Sequence, residues 1–402
     1  MNDKIRIFCL TRFLTSFALG TILPVYVLYF RHYQINLFQI ALLAAVFEAS
    51  ILIFEMPTGL VADIYGRRIS VILSTFLSLV SGLAFIFFPF LSGFIIAEII
   101  GGMGETLRSG ALEAWLVDSL KHENKEDKVK SAFAGGTKFK TAGNLLGLIL
   151  GGYLASLSMK LVWVPFTVVF LILSLMLFLI MKEEYEMPRD ISKKIVSRLS
   201  ETIKGSMQVL KSQRLILALV LLSLFSEFSF ETISQYWQVH FDENLFIPTS
   251  YFGWILAAAS VLTILIIDKV TALSDKFRSG VFPLVILEAL FILSLLVIAL
   301  TVSPLLAVLF FILLQTFVSL KEPIFLDIYN KHIPSAQRAT LLSFQSLVGS
   351  TGEVLAGLCI GMIALKFGLR ITFGVGTGVL LVGIVIFIIF AGFRSTKSDR
   401  GM

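Results

Sequence analysis

Apolar stretches of twenty residues or more recur along the whole 402-residue chain and leave only short connections between them. They lie at roughly 8–30, 37–61, 69–90, 92–117, 131–157, 161–181, 214–239, 249–268, 280–301, 303–329, 339–365 and 371–393. Each is long enough for a helix of ~20 residues to cross a hydrocarbon core of ~30 Å. Inside such a core every backbone N–H and C=O must be paired within the protein, which leaves helices or closed barrels. Barrel strands would read as ~10-residue segments of alternating polarity, and no such pattern occurs. The expectation is an all-α polytopic membrane protein of twelve transmembrane helices with no soluble domain. Charged residues make up 15% of the chain, against about 25% in soluble domains, so most of its surface must face something other than water.

The lysines and arginines orient the spans. With the N-terminus in the cytoplasm, the inner loops hold 24 basic residues, and the outer loops hold four: Arg31, Lys160, Lys366 and Arg370. Missing or inventing one span would destroy this bias, so an even count with both termini cytoplasmic is expected. Met1 to Arg6 is a short basic leader running into the first stretch, which reads as a membrane helix rather than a cleavable signal. There is no Asn-x-Ser/Thr sequon, which fits a bacterial cytoplasmic (inner) membrane. The net charge of +6 sits in short loops on one side, so nucleic acid is not an expected partner. Cys9 and Cys359 lie inside spans and cannot form a disulfide framework.

One connection, 182–213, is longer than the others and divides the spans six and six. Ile191, Ile195, Leu199, Ile203 and Met207 recur there every four residues, with Lys193, Lys194, Arg198 and Lys204 on other faces. That pattern suits a basic amphipathic helix on an anionic leaflet, and a solvated linker is the alternative. The expected organisation is a six-helix bundle over 1–181, the linker over 182–213 and a second six-helix bundle over 214–402.

The two halves echo each other at an offset near 209. Glu113 and Asp118 end the fourth span, and Glu322 and Asp327 end the tenth, both as Glu-x4-Asp. Gly147 and Gly151 in the fifth span match Gly357 and Gly361 in the eleventh. Duplicated helical halves around a midplane site are a transporter architecture.

The loop after the second span reads Gly59-Leu-Val-Ala-Asp63-Ile-Tyr-Gly66-Arg67-Arg68. Gly59 lets helices approach closely, while Asp63 can cap a helix N-terminus and pair with Arg67 or Arg68. This segment resembles the signature motif of the major facilitator superfamily, a Gly-x3-Asp followed by Gly-Arg-Arg/Lys. The resemblance extends over the chain through the twelve-span pattern and implies two pseudo-symmetric six-helix bundles. It also implies a cytoplasmic latch at Gly59, Asp63, Gly66, Arg67 and Arg68 that holds the halves together in the outward-facing state.

Gly143, Gly147, Gly151 and Gly152 in the fifth span share one helix face and permit tight packing. They resemble the family's antiporter motif, with Leu148 where that motif has proline. A packing face without any coupling role is the alternative. The fourth span keeps the frame in which the family carries an arginine four residues before a glycine, but Glu98 stands in place of that arginine.

Ionisable residues inside spans cost free energy and usually mark pathways or relays. They include Arg12, Glu48, Glu55, Glu98, Glu105, Arg108, Glu227, Glu231, Glu288 and Glu353, with Gln235 one turn after Glu231. Glu105 and Arg108 are an i,i+3 pair able to satisfy each other. Withdrawal from water favours the neutral form of a carboxylate, and such an acid can load and release protons. Glu48, Glu105, Glu227 and Glu231, with Arg108 and Gln235, are therefore the candidate coupling or substrate residues. The plainer alternative makes Glu105–Arg108, and Arg12 with a glutamate of the second span, structural ion pairs. Phe225, Phe228, Phe230, Tyr236 and Trp237 beside the acids of the seventh span would suit a lipophilic cation, although an aromatic belt accounts for the last two.

His32, His122, His240 and His332 are scattered, so no metal site is expected. There is no phosphate-binding Gly-x4-Gly-Lys-Ser/Thr loop and no plausible nucleophile–base order, so neither an ATP-driven pump nor an enzyme is expected, and no cofactor. The favoured expectation is a monomeric secondary-active exporter of small molecules driven by protons, of the drug:proton antiporter type. An importer or uniporter of a small metabolite, or a transporter-like sensor, remain as alternatives.

Overall fold

Pro24 interrupts the first long helix of the chain, because proline lacks an N–H and its ring collides with the carbonyl four residues back. The computed structural model, which describes residues 3–183, 214–274, 276–277, 281–332 and 335–391, shows α1 over Asp3–Ile22, a 3-10 turn over Leu23–Val25 and α2 over Tyr26–His32. The remaining elements of the first half are α3 (Leu37–Tyr65), α4 (Arg67–Phe87), α5 (Leu91–Arg108), α6 (Ala111–His122), α7 (Val129–Leu157) and α8 (Trp163–Ile180). The second half holds α9 (Arg214–Val239), α10 (Phe252–Ser274), α11 (Val281–Leu300), α12 (Pro304–His332), α13 (Ser335–Phe367) and α14 (Leu369–Ala391). No strand occurs among the described residues.

Nine of the helices or helix runs among the described residues are long and apolar enough to cross a membrane. The three other expected spans coincide with α5, α7 and α13, which are long but more polar. Side chains such as Leu179, Leu305 and Ile389 are more than two-thirds exposed, a costly arrangement in water and the ordinary one against lipid. The amphipathic-helix expectation for the 182–213 connection lies outside the described residues, apart from Lys182 and Glu183.

The single span expected at 92–117 is two helices. α5 stops at Arg108, and Gly110 takes a left-handed conformation (φ +72°) that a residue without a Cβ adopts at little cost. α6 then buries Trp115, Leu116 and Leu120 against Phe8, Val71, Leu177 and Met181. The Trp115 indole donates to the Lys182 carbonyl at 2.9 Å.

Two capping arrangements fix helix starts. Asn36 and Gln39 form a reciprocal capping box at α3, with bonds of 2.9 and 3.0 Å, which satisfies two otherwise orphaned N–H groups. At α4 the Glu183 carboxylate accepts the backbone N–H groups of Arg67 and Arg68, each at 3.1 Å. A negative charge there also complements the positive end of the helix.

The described residues form two compact units: those up to 183 with Trp237–Ala258, and those of 214–236 with those from 259 to 391. In the first unit, α1 and α7 run side by side in the same direction. Gly143, Gly147 and Gly151 of α7 lie against the backbones of Phe13, Phe17 and Thr21, and Gly20 meets the same face. A Cβ added at Gly147 would come 2.9 Å from the Cα of Gly20, so only small residues allow this approach. At one end of the unit, Tyr29, Phe30, Phe85, Phe94 and Trp163 are buried together, with Phe85 stacked on Trp163 at 3.8 Å between ring centroids. In the second unit, α11 packs against α12 and α14, and Gly376 and Gly383 of α14 receive Thr232 and Phe225 of α9.

Candidate functional site

Each unit buries a cluster of charge. In the first, α5 contributes Glu98, Glu105 and Arg108, and the last two pair within the helix. Glu98 is 3% exposed and accepts a hydrogen bond from the Tyr26 hydroxyl of α2. Glu48 of α3 lies within electrostatic reach of Glu98 and Glu105. Glu48 thus lies between two other carboxyl groups, of which Glu105 is the one that pairs with Arg108. Arg12 pairs with Glu113 of α6, not with a glutamate of the second span, and its guanidinium stands over the Phe8 ring at 5.3 Å. Glu55 is exposed and outside this cluster.

In the second unit, α12 brings Lys321 against Glu288 of α11, with 3.1 Å from the ammonium to each carboxylate oxygen. The same ammonium donates to the Ser226 hydroxyl of α9 at 2.6 Å, and that hydroxyl lies 3.3 Å from Glu288. Lys321 is 12% and Glu288 3% exposed, and the Phe291 ring covers the ammonium at 4.9 Å. Glu227 is within electrostatic reach of both charges. One turn further along α9, the Gln235 amide donates to Glu231 at 2.5 Å.

The signature-like loop is arranged differently from the sequence expectation. Asp63 lies in the last turn of α3, not at a helix N-terminus, and is exposed. It makes no hydrogen bond or ion pair among the described residues. Glu183 caps α4 instead. Gly66, with φ +104°, leaves room for the Glu183 carboxylate, and a Cβ there would collide with it. The Arg67 Nε lies 2.9 Å from Asp118 of α6, an ion-pair distance at an angle that makes no hydrogen bond. Arg68 donates to the carbonyls of Met181 and Phe178. The loop arginines are thus held within the first unit, and Gly59 has no heavy atom near its Cβ position.

The repeated acids also differ in setting. Glu113 and Asp118 hold Arg12 and Arg67. Glu322 is exposed, and Asp327 pairs with Lys331 one turn on, at 2.6 Å.

A model of the Major Facilitator Superfamily matches residues 8–356. The chain belongs to that superfamily. It is 28% identical over 393 residues to an uncharacterized MFS-type transporter, YxaM, of Bacillus subtilis (strain 168), covering 94% of this chain and 93% of that one. An uncharacterized MFS-type transporter of Methanocaldococcus jannaschii is 26% identical over 103 residues, about a quarter of each chain. Among solved structures, the nucleoside transporter NupG superposes with a TM-score of 0.77 at 12% identity, covering 98% of this chain and all of that one. A D-xylose–proton symporter gives 0.70 at 15% identity, covering 96% and 97%. These likenesses establish the fold. As a member of this superfamily the chain is a membrane transporter and not an enzyme.

Sequence reasoning missed four residues of this transporter's interior. Lys321 was hidden by its position beside Glu322 at a span end, although a lysine reading into α12 one turn before Phe325 was a signal. Tyr26 and Gln238 carry no sequence mark of their roles, since each acts on a residue far away in the chain. Glu183 lies in a mixed-charge stretch where any carboxylate looks solvated.

Proposed function

We propose that this transporter exports small lipophilic or cationic molecules in exchange for protons. It would do so by alternating access of two six-helix bundles, 1–181 and 214–402, joined by the 182–213 linker. The reading includes twelve spans, a bacterial cytoplasmic membrane, both termini inside and a monomeric state. One observation carries it: carboxylates outnumber cations among the buried and half-buried charges clustered in each unit. Glu48 interacts with Glu98 and with Glu105, of which Glu105 pairs with Arg108, and Glu227 and Glu288 share Lys321. Surplus acids inside a membrane protein support proton relay and attract positive charge. The glycine run of Gly143, Gly147 and Gly151 against α1, with Gly152 turned instead to Gly253, is in keeping with an antiporter.

A polar metabolite is the second reading, and the Lys321–Glu288–Ser226 triad favours it. Such a cluster offers donors and acceptors to a hydroxyl-rich solute, and the similar NupG and D-xylose–proton symporter structures carry names of that kind.

Accumulation of lipophilic dyes and antibiotics in pump-deficient bacteria separates the readings. Wild type, Glu231→Gln and Glu105→Gln are compared with and without an uncoupler. Lower accumulation in wild type, abolished by the uncoupler and by a neutralised acid, supports proton-driven export. Export that persists at equal rate without a gradient rules it out.

A further inference from the structure

Gln238, at the end of α9, is 3% exposed and makes three hydrogen bonds to the break in the first helix. Its carbonyl oxygen accepts from the N–H of Val27 at 2.8 Å and of Leu28 at 3.4 Å. Its amide nitrogen donates to the Leu23 carbonyl at 3.0 Å. In a continuous helix the Val27 N–H would bond the Leu23 carbonyl directly, four residues back. The Gln238 amide is thus inserted into one backbone hydrogen bond and satisfies both of its halves. The orientation of the amide follows from its partners, because the opposite flip would face donor with donor.

Two contacts flank this insertion. Arg31 of α2 pairs with Glu243 at 2.8 Å, across side chains that are about a third exposed. Next to them, Gly253 at the start of α10 lies flush on α7. A Cβ at Gly253 would come 3.1 Å from the Cα of Ile149, and one at Gly152 would come 3.0 Å from the Gly253 nitrogen. Within the first unit, a buried amide, an ion pair and a glycine seam thus tie the Trp237–Ala258 segment to the helices that precede it.

We propose that Gln238 is a positioning residue that acts as the releasable pin of the gate at this end of the transporter, which the distribution of basic residues assigns to the outer side. Closed, its amide occupies the Val27–Leu23 bond. On opening, the amide withdraws and the Val27 N–H closes onto the Leu23 carbonyl within the helix. The break at Pro24 does not block that bond, since proline removes the N–H of residue 24 and crowds the carbonyl of residue 20 only. The Leu28 N–H likewise closes onto the Pro24 carbonyl four residues back, so the backbone groups that Gln238 releases are paired in either state, and that keeps the two states close in free energy. A static plug would need no such exchange. The inference rests on the alternating-access reading but not on the identity of the solute or the coupling ion.

Electron–electron distance measurements test it without any substrate. Spin labels are attached through His32→Cys and Phe246→Cys, two exposed positions, in the full chain carrying Cys9→Ala and Cys359→Ser. Gln238→Leu removes the donor and the acceptor. Gln238→Glu keeps an acceptor for Val27 but loses the amide donor to Leu23. The expected result is a new, longer distance population, with the open-to-closed ratio raised by about tenfold or more in Gln238→Leu and less in Gln238→Glu. Arg31→Ala, which breaks a partly exposed pair, should move the ratio far less. Distance distributions in both Gln238 variants that match the parent, or a shift in Arg31→Ala as large as in Gln238→Leu, would overturn the proposal. Monodisperse elution after reconstitution identifies folded variants. Gln238→Glu is the conservative member of the pair should Gln238→Leu not fold. Failure of the efflux assay above would leave these distances untouched, so the two ideas fall separately.

Discussion

Lys321 directs its ammonium to both oxygens of the Glu288 carboxylate at 3.1 Å, with Ser226 as its third partner. A buried ion pair of this kind is roughly balanced against its own desolvation, so its presence adds little net stability. Removing one member is another matter, because the survivor is left charged and unpaired. Lys321→Met should therefore destabilise the fold by about 3–5 kcal/mol. The double variant Lys321→Met/Glu288→Leu should recover most of that loss. Unfolding in mixed micelles measures both, and equal losses in single and double variants would contradict the pairing.

The Glu183 cap predicts a local effect. Glu183→Ala removes the acceptor for the Arg67 and Arg68 N–H groups and should cost about 1 kcal/mol. The loss should be concentrated in the first turn of α4. Hydrogen exchange of residues 67–70 is the readout, and unchanged protection there would show that the cap carries no weight.

Glycine substitutions on α7 should divide sharply. Gly147→Ala sets a Cβ 2.9 Å from the Gly20 Cα, and backbone cannot yield there as a flexible side chain would. Gly135→Ala meets only the Cys9 sulfur, at an ordinary 3.6 Å. Melting temperature in detergent should fall markedly for the first and stay near wild type for the second. Equal behaviour would mean that the close α1–α7 approach is dispensable.

Asp63→Asn separates folding from cycling. The side chain is exposed and without a hydrogen bond or ion pair among the described residues, so stability should change by no more than about 0.5 kcal/mol. If the residue is the latch of another state of the cycle, transport should drop while expression holds. Full transport in this variant would remove the latch role.

Glu98→Gln tests whether the buried acid beside Tyr26 takes part in coupling. The amide still accepts from the Tyr26 hydroxyl but cannot carry a proton. Under the export proposal, efflux should lose its dependence on the proton gradient while the protein remains folded. Gradient-driven efflux at the wild-type rate would exclude Glu98 from the relay.

The primary structure by itself determined the fold class and the family. A bilayer requires every spanning backbone group to be paired internally, so repeated apolar stretches of this length could only be helices. The short-range pairs were legible for the same local reason. Glu105 with Arg108, and Glu231 with Gln235, are one turn apart on one helix, where the helical repeat brings them together. The glycine spacing on α7 likewise announced a packing face, though not that α1 would fill it. The breaks at Pro24 and Gly110 were written in the residues but overridden by the apolar count, which treated 8–30 and 92–117 as unbroken.

Tertiary structure decided the partners. Arg12 finds Glu113 at a separation of 101 residues, Tyr26 finds Glu98 at 72 and Glu183 finds Arg67 at 116. No periodicity reaches across such distances, because a helix repeat orders only neighbours on its own surface. Lys321 could have faced water, lipid headgroups or any of several acids until α11 and α12 packed and left Glu288 opposite it. Gln238 is the extreme case: its amide matters only because proline opened a helix more than 200 residues earlier in the chain.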